Sequence, residues 1–286
     1  MQIYKMFAAV ALAMAALGAQ ADLYMAGDST MCNYNPQRQY PQQGWGQALE
    51  QFMKNPDQLH NWAIGGRSAR SFKNEGRWDK IVEALKPGDF VIVAFGHNDA
   101  NRAKTERYST PEQYKELMRG FVADVRSKKA TIVFATSIPH SGGFTETDGV
   151  MHVRGSAAGI GPYVEATREL GKELDVAVLD LNGFACEKLP SLGFEKSNRL
   201  YMRIKPGEYE RLPNGSNDGC HTRDAGAYFF AKAAVELAYK QKLPLAKLFK
   251  RPGDVRFTPV PYGGPGSNAK PLKDDFSKEE IPYANQ

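Results

Sequence analysis

The chain has 286 residues, a formal net charge of +5 and 42% hydrophobic residues. That length suits one large domain with a core of its own. So mild a positive charge excludes a dedicated nucleic-acid binder, and the three cysteines, Cys32, Cys186 and Cys220, lack the C-x-x-C spacing of a metal or redox site.

From the N-terminus, Lys5 precedes an apolar run from Met6 to Leu17, and Ala19-Gln20-Ala21 makes an A-x-A cleavage site. The pattern predicts a secretory leader over residues 1–21, removed from an exported protein, periplasmic or extracellular, that starts at Asp22. The run is too short to span a bilayer and no later stretch is apolar enough, so no membrane partner is expected. Export permits a disulfide, but an odd count leaves one thiol over and the pairing open.

Leu23 to Ala26 reads as the first strand, Gly44 to Lys54 as a helix with Trp45, Ala48, Leu49 and Phe52 on one face, and Leu59 to Ile64 as a second strand. Trp78, Ile81, Val82 and Leu85 recur at helical spacing until Pro87-Gly88. Phe90 to Phe95 is a continuous apolar run, as in a strand buried on both faces. Thr110-Pro111-Glu112-Gln113 signals a capped helix start, and that helix is expected to reach Lys128. Thr131 to Ala135 and Val176 to Leu181 read as strands, and Pro162 to Leu174 and Arg223 to Lys240 as helices. Strands alternating with helices predict an α/β fold around a parallel sheet, with few hairpins. Two long irregular stretches, His140 to Gly161 and Ser191 to Asn217, are expected to rim a site. Leu243 to Gln286, rich in Pro, Gly and Lys, reads as extended chain wrapped on the domain or partly disordered.

Four short segments could carry chemistry. Gly27-Asp28-Ser29-Thr30 ends the first strand, where a turn would hold the Ser29 Oγ at a sheet edge. Gly65-Gly66-Arg67 follows the second strand, and a glycine pair lets backbone N–H groups approach a ligand. Gly96-His97-Asn98-Asp99 follows the most buried strand, and Asn98 could offer its amide to an oxyanion. Asp218 and His221 lie three residues apart, so one short turn could hold carboxylate against imidazole. Singly each could be an ordinary turn. Three, however, fall at the carboxyl ends of strands, where open parallel sheets bind ligands. The G-x-S-x-G elbow is absent; Gly66-Arg67-Ser68-Ala69-Arg70 lacks its second glycine.

In this order the four segments resemble the blocks of the SGNH (GDSL-type) hydrolase superfamily. Ala63-Ile64-Gly65-Gly66-Arg67-Ser68-Ala69-Arg70-Ser71-Phe72, then Glu75-Gly76-Arg77-Trp78, is similar to the rhamnogalacturonan acetylesterases, as is Lys205-Pro206-Gly207-Glu208-Tyr209. The likeness covers roughly Leu23 to Lys240. One departure is Cys220-His221-Thr222 where related bacterial sequences usually carry Thr-His-Phe, which leaves the triad intact and bears on the site wall.

The resemblance implies a three-layer α/β/α sandwich with a mostly parallel, flavodoxin-like sheet, a hydrolase domain over residues 22–242 and an extension over 243–286. It implies Ser29 as nucleophile, His221 as base and Asp218 as its orienter. The oxyanion hole would be the N–H groups of Ser29 and Gly66 with the Asn98 amide. Arg67, Arg70 and His97 become candidate substrate contacts, the two arginines because guanidinium matches the geometry of a carboxylate. No metal or organic cofactor is expected, and a monomer is. The implied substrate is acetylated pectic polysaccharide, with rhamnogalacturonan first. Alternatives are an acetylxylan or other carbohydrate deacetylase, a lipase or thioesterase, and a non-catalytic carbohydrate-binding protein.

Overall fold

The computed structural model describes residues 21–259, so the expected leader, apart from Ala21, and residues 260–286 of the extension lie outside the described residues. The strands are β1 (Leu23–Gly27), β2 (Leu59–Asn61), β3 (Phe90–Ala94), β4 (Thr131–Ala135), β5 (Phe144–Thr147), β6 (Val150–Val153), β7 (Val178–Leu179), β8 (Tyr201–Ile204) and β9 (Ser216–Thr222). The central sheet runs β2-β1-β3-β4-β7, every pair parallel. This is the α/β architecture expected.

The pleat sends alternate residues of β1 and β3 to opposite faces. Leu23, Met25 and Ile92 join one core with Trp45, Phe229 and Phe230. Tyr24, Ala26, Val91 and Val93 join a second core with Phe72, Trp78 and Phe121. Both strands are buried along their whole length, because helices cover both faces. The helix Pro111–Ser127 starts on the expected capping box, with Thr110 and Gln113 each satisfying the other's backbone N–H.

The structure departs from the sequence reading in several places. The helix expected to reach Lys54 is α-helical only over Trp45–Ala48, then tightens to a 3₁₀ turn over Leu49–Phe52. The C-terminal segment competes for its last backbone groups: Lys250 N–H donates to the Phe52 carbonyl, and Lys54 N–H to the Leu248 carbonyl. Leu245 and Phe249 are buried there, so the extension packs on the core through its described part. The stretch His140 to Gly161 is not wholly irregular; β5 and β6 form a hairpin across Asp148-Gly149, both at positive φ. An Asp-Gly pair is a hairpin signal that sequence reading passed over. The stretch Ser191 to Asn217 likewise holds a helix, Phe194–Asn198, and β8, which pairs antiparallel with β9. The strand expected through Leu181 stops at Leu179. Asp180 then caps a helix, Leu181–Leu192, by accepting from Gly183 N–H.

The last helix, Asp224–Lys240, crosses close over the chain before β8, and a methyl on Gly226 would overlap the Leu200 carbonyl. Gly226→Ala is therefore expected to destabilise by about 1–3 kcal/mol, despite alanine's better helix propensity. A thermal melt should fall by roughly 3–10 °C. An unchanged melting temperature would mean that this approach yields freely.

Candidate active site

Ser29 sits in the turn that ends β1. The Asp28 carbonyl accepts from Met31 and Cys32 N–H, and the Asp28 carboxylate Oδ1 accepts from Thr30 N–H at 2.9 Å and Thr30 Oγ1 at 2.8 Å. The Ser29 carbonyl accepts from Tyr34 OH at 2.8 Å. The backbone is thus pinned on both sides of Ser29.

Asp218 and His221 arrive from the other side of the site on β9, not on a simple turn before the last helix. Tyr201 pairs with Thr222 and Arg203 with Asn217, so two steps along β8 (201 to 203) face five along β9 (222 to 217). The surplus forms a bulge, a device that re-aims side chains. Within it Asp218 Oδ1 accepts from Cys220 N–H at 2.8 Å and His221 N–H at 3.1 Å. Its other oxygen meets His221 Nδ1 at 2.6 Å, and His221 Nε2 meets Ser29 Oγ at 2.9 Å. Burial raises the Asp218 carboxyl, but His221 and these two N–H donors more than reverse this, bringing it down to about 2. Asp218 is therefore a carboxylate at any working pH. Its pairing fixes the proton on Nδ1 and leaves Nε2 to accept from the serine.

The third wall comes from the loops after β2 and β3. Gly66 has φ +79°, a conformation that favours glycine. Neither Gly66 N–H nor Ser29 N–H donates to any group among the described residues. A methyl on Gly65 would lie 3.6 Å from Ser29 Cβ, so this loop borders the nucleophile. Asn98 Nδ2 donates to the Arg67 carbonyl at 3.1 Å, and Arg107 Nη1 donates to Asn98 Oδ1 at 3.1 Å and to the Gly66 carbonyl at 2.8 Å. Since guanidinium only donates, it orients the amide with oxygen toward Arg107. The second Nδ2 hydrogen stays available. Arg107 was missed by sequence reading, because it lies in a loop without a motif.

His97 is turned inward. Its side chain is 8% exposed, with Nδ1 3.3 Å from Asp28 Oδ2 and Nε2 3.0 Å from the Ile138 carbonyl. A carbonyl can only accept, so Nε2 carries a proton, and the adjacent carboxylate favours one on Nδ1 too. Burial lowers the imidazole, but Asp28 and the Ile138 carbonyl more than offset it, leaving His97 above its ordinary value. Burial likewise raises the Asp28 carboxyl, and His97 and Thr30 bring it below its ordinary value. The contact is too poorly aligned to count as a hydrogen bond, so Asp28 Oδ2 is ion-paired without a hydrogen-bond donor. Both His97 ring nitrogens are thus engaged within the protein, bracing the turn that carries Ser29.

The two arginines singled out from sequence are also engaged elsewhere. Arg67 pairs with Glu75 at 3.1 Å and donates to the Gly65 carbonyl, and Arg70 donates to the Thr105 carbonyl. Asp99 accepts from Ala69 N–H through both oxygens, tying the third loop to the helix Ala69–Asn74, and burial raises its carboxyl to about 8. Trp45 belongs to the core. Cys32, Cys186 and Cys220 are unpaired thiols.

A hydroxyl on an imidazole and an imidazole on a carboxylate, bordered by two backbone N–H groups without a protein acceptor among the described residues and by the Asn98 amide, are the groups that acyl transfer requires. The model of the GDSL-like lipase/acylhydrolase family matches residues 25–228. The chain is 35% identical to rhamnogalacturonan acetylesterase RhgT of Bacillus subtilis over 223 residues, 78% of this chain and 91% of that one. It is 31% identical to the probable rhamnogalacturonan acetylesterase YesY of the same organism, covering 79% and 95%. Among solved structures it is similar to YxiM of Bacillus subtilis, with a TM-score of 0.66 and 28% identity over 79% of this chain and 58% of that one.

Proposed function

Because this chain belongs to the GDSL-like lipase/acylhydrolase family, we propose that it is a serine esterase that removes O-acetyl groups from pectic polysaccharide, with rhamnogalacturonan as its substrate. That it is a carboxylic ester hydrolase follows from the family and from relatives that are esterases. The observation that carries the mechanism is the unbroken line Asp218–His221–Ser29, at 2.6 and 2.9 Å.

In this reading Ser29 Oγ attacks the acetyl carbonyl while His221 Nε2 takes the hydroxyl proton. The tetrahedral oxyanion is met by Ser29 N–H, Gly66 N–H and the spare Asn98 Nδ2 hydrogen. Asp218 stabilises the imidazolium. Collapse breaks the bond to the sugar oxygen, which leaves with the proton from His221. Water then attacks the acetyl-enzyme, His221 again acting as base, and acetate is released. The pectic assignment draws on the relatives named as rhamnogalacturonan acetylesterases and on the likeness of the Ala63 to Phe72 segment to that group.

The test is acetate release by the purified protein from acetylated rhamnogalacturonan, acetylated xylan and a long-chain acyl ester in parallel. Preferential release from the pectic polymer is expected. Preferential release from xylan would move the substrate, and cleavage of the long-chain ester alone would overturn a carbohydrate role.

A further inference from the structure

Beside the triad, β8 and β9 border a groove of about 480 Å³, within the size range of small-ligand sites. We propose that this groove is a carboxylate-binding subsite for a uronic-acid residue of the polysaccharide whose acetyl ester lies on Ser29, with Arg203 as its anchor. The proposal rests on the pectic reading above.

Arg203 lies against the catalytic bulge. A methyl on Gly219, between Asp218 and His221, would be 2.7 Å from Arg203 Nη2. Nε donates to Ser141 Oγ at 3.0 Å, and Nη1 donates to the Asn217 side chain and carbonyl. These neutral partners hold the plane of the guanidinium without cancelling its charge. Nη2 has no partner among the described residues, and Arg203 forms no ion pair among them. The other arginines around the site are committed: Arg67 to Glu75, Arg107 to Glu106 and the Gly66 carbonyl, and Arg223 to Glu208.

A half-buried, oriented and uncompensated guanidinium is set up for a charged ligand, because its desolvation is already met and its fork matches a carboxylate. The groove adds Lys205, which pairs with Glu195 at 3.2 Å. Phe194, exposed on the same wall, offers an apolar face to the C–H side of a sugar ring. A polymer with acidic and acetylated residues could place the ester on Ser29 and a neighbouring carboxylate on Arg203 at once.

The experiment uses hydrolysis of p-nitrophenyl acetate as readout. Wild type, Arg203→Gln and Arg203→Lys are inhibited by a deacetylated rhamnogalacturonan oligosaccharide, by the same oligosaccharide with its carboxyl groups reduced, and by inorganic phosphate. The acidic form is expected to inhibit wild type about 10-fold or more tightly than the reduced form. That preference should shrink with salt, vanish in Arg203→Gln and survive partly in Arg203→Lys. Equal inhibition of wild type by the two forms overturns the subsite, without reference to any variant. A preference that persists in Arg203→Gln removes Arg203 as anchor, and phosphate inhibition as strong as the oligosaccharide's overturns the sugar assignment. Because inhibition needs no acetylated polymer, an acidic preference without acetate release would refute the substrate reading alone.

Discussion

Ser29→Ala is expected to lower acetate release by roughly 10⁴–10⁶-fold, with no change in the thermal melt. Ser29 lies between a pinned turn and His221, and removing its Oγ takes away the atom that attacks while leaving the backbone bonds of Asp28 and Tyr34 in place. Residual rate would come from the oxyanion donors and from substrate binding alone. The triad works as a unit, so His221→Ala should cost about as much, and combining the two should add little. Asn98→Ala should cost less, about 10²–10³-fold in kcat, because two backbone donors remain. Single-turnover measurements with p-nitrophenyl acetate check the order: wild type should show a burst of p-nitrophenol, and Ser29→Ala none. Activity that persists in the variant would remove Ser29 as nucleophile.

Asp28→Ala should lower stability by about 1–3 kcal/mol, because it takes the carboxylate partner from the buried His97 Nδ1 and forces that imidazole to its neutral form. It also removes the two Thr30 bonds that shape the nucleophile turn, so activity should fall with stability. The pair gives wild type a definite pH signature. His97 lies above its ordinary 6.5, so its contribution is full below that value and is lost as pH rises through the raised one. Asp28 lies below its ordinary 3.8, so its contribution is full above that value and is lost as pH falls through the lowered one. Their joint contribution is therefore full between about 3.8 and 6.5 and fades on either side. Urea denaturation carried from pH 6.5 upward should show wild type losing stability more steeply than Asp28→Ala. The double variant Asp28→Ala, His97→Leu should regain part of the loss, since it leaves no buried ring nitrogen without a partner. A double variant no better than Asp28→Ala would mean that the turn bonds, not the His97 contact, dominate.

The inner strands β1, β3 and β4 were legible because each is a short apolar run buried almost throughout. Phe90–Ala94 and Thr131–Ala135 need no partner to identify them. The helix after Thr110 was legible because its capping box is local in sequence. The hairpin at Asp148-Gly149 and the pairing of β8 with β9 were not, for two reasons. The first signal is a two-residue turn inside a polar stretch, and the second pairing skips over a loop and a bulge.

Among the site residues, the sequence by itself determined which groups are present: a serine after a first strand, a glycine after a second, an asparagine after a third, and a carboxylate three residues before a histidine. It could do so because each lies at a chain-local landmark. Tertiary structure alone decided which of the neighbouring charged residues face the site. His97 was drawn inward to Asp28, the buried carboxylate of the turn that carries Ser29. Arg67 was drawn to Glu75 and Arg107 to Asn98, while Arg203, 105 positions after Asn98, was left with neutral partners beside the bulge. Partner choice among charges follows distance and burial, since Coulomb energy grows as water is excluded. Neither quantity exists until strands far apart in the chain have been packed side by side.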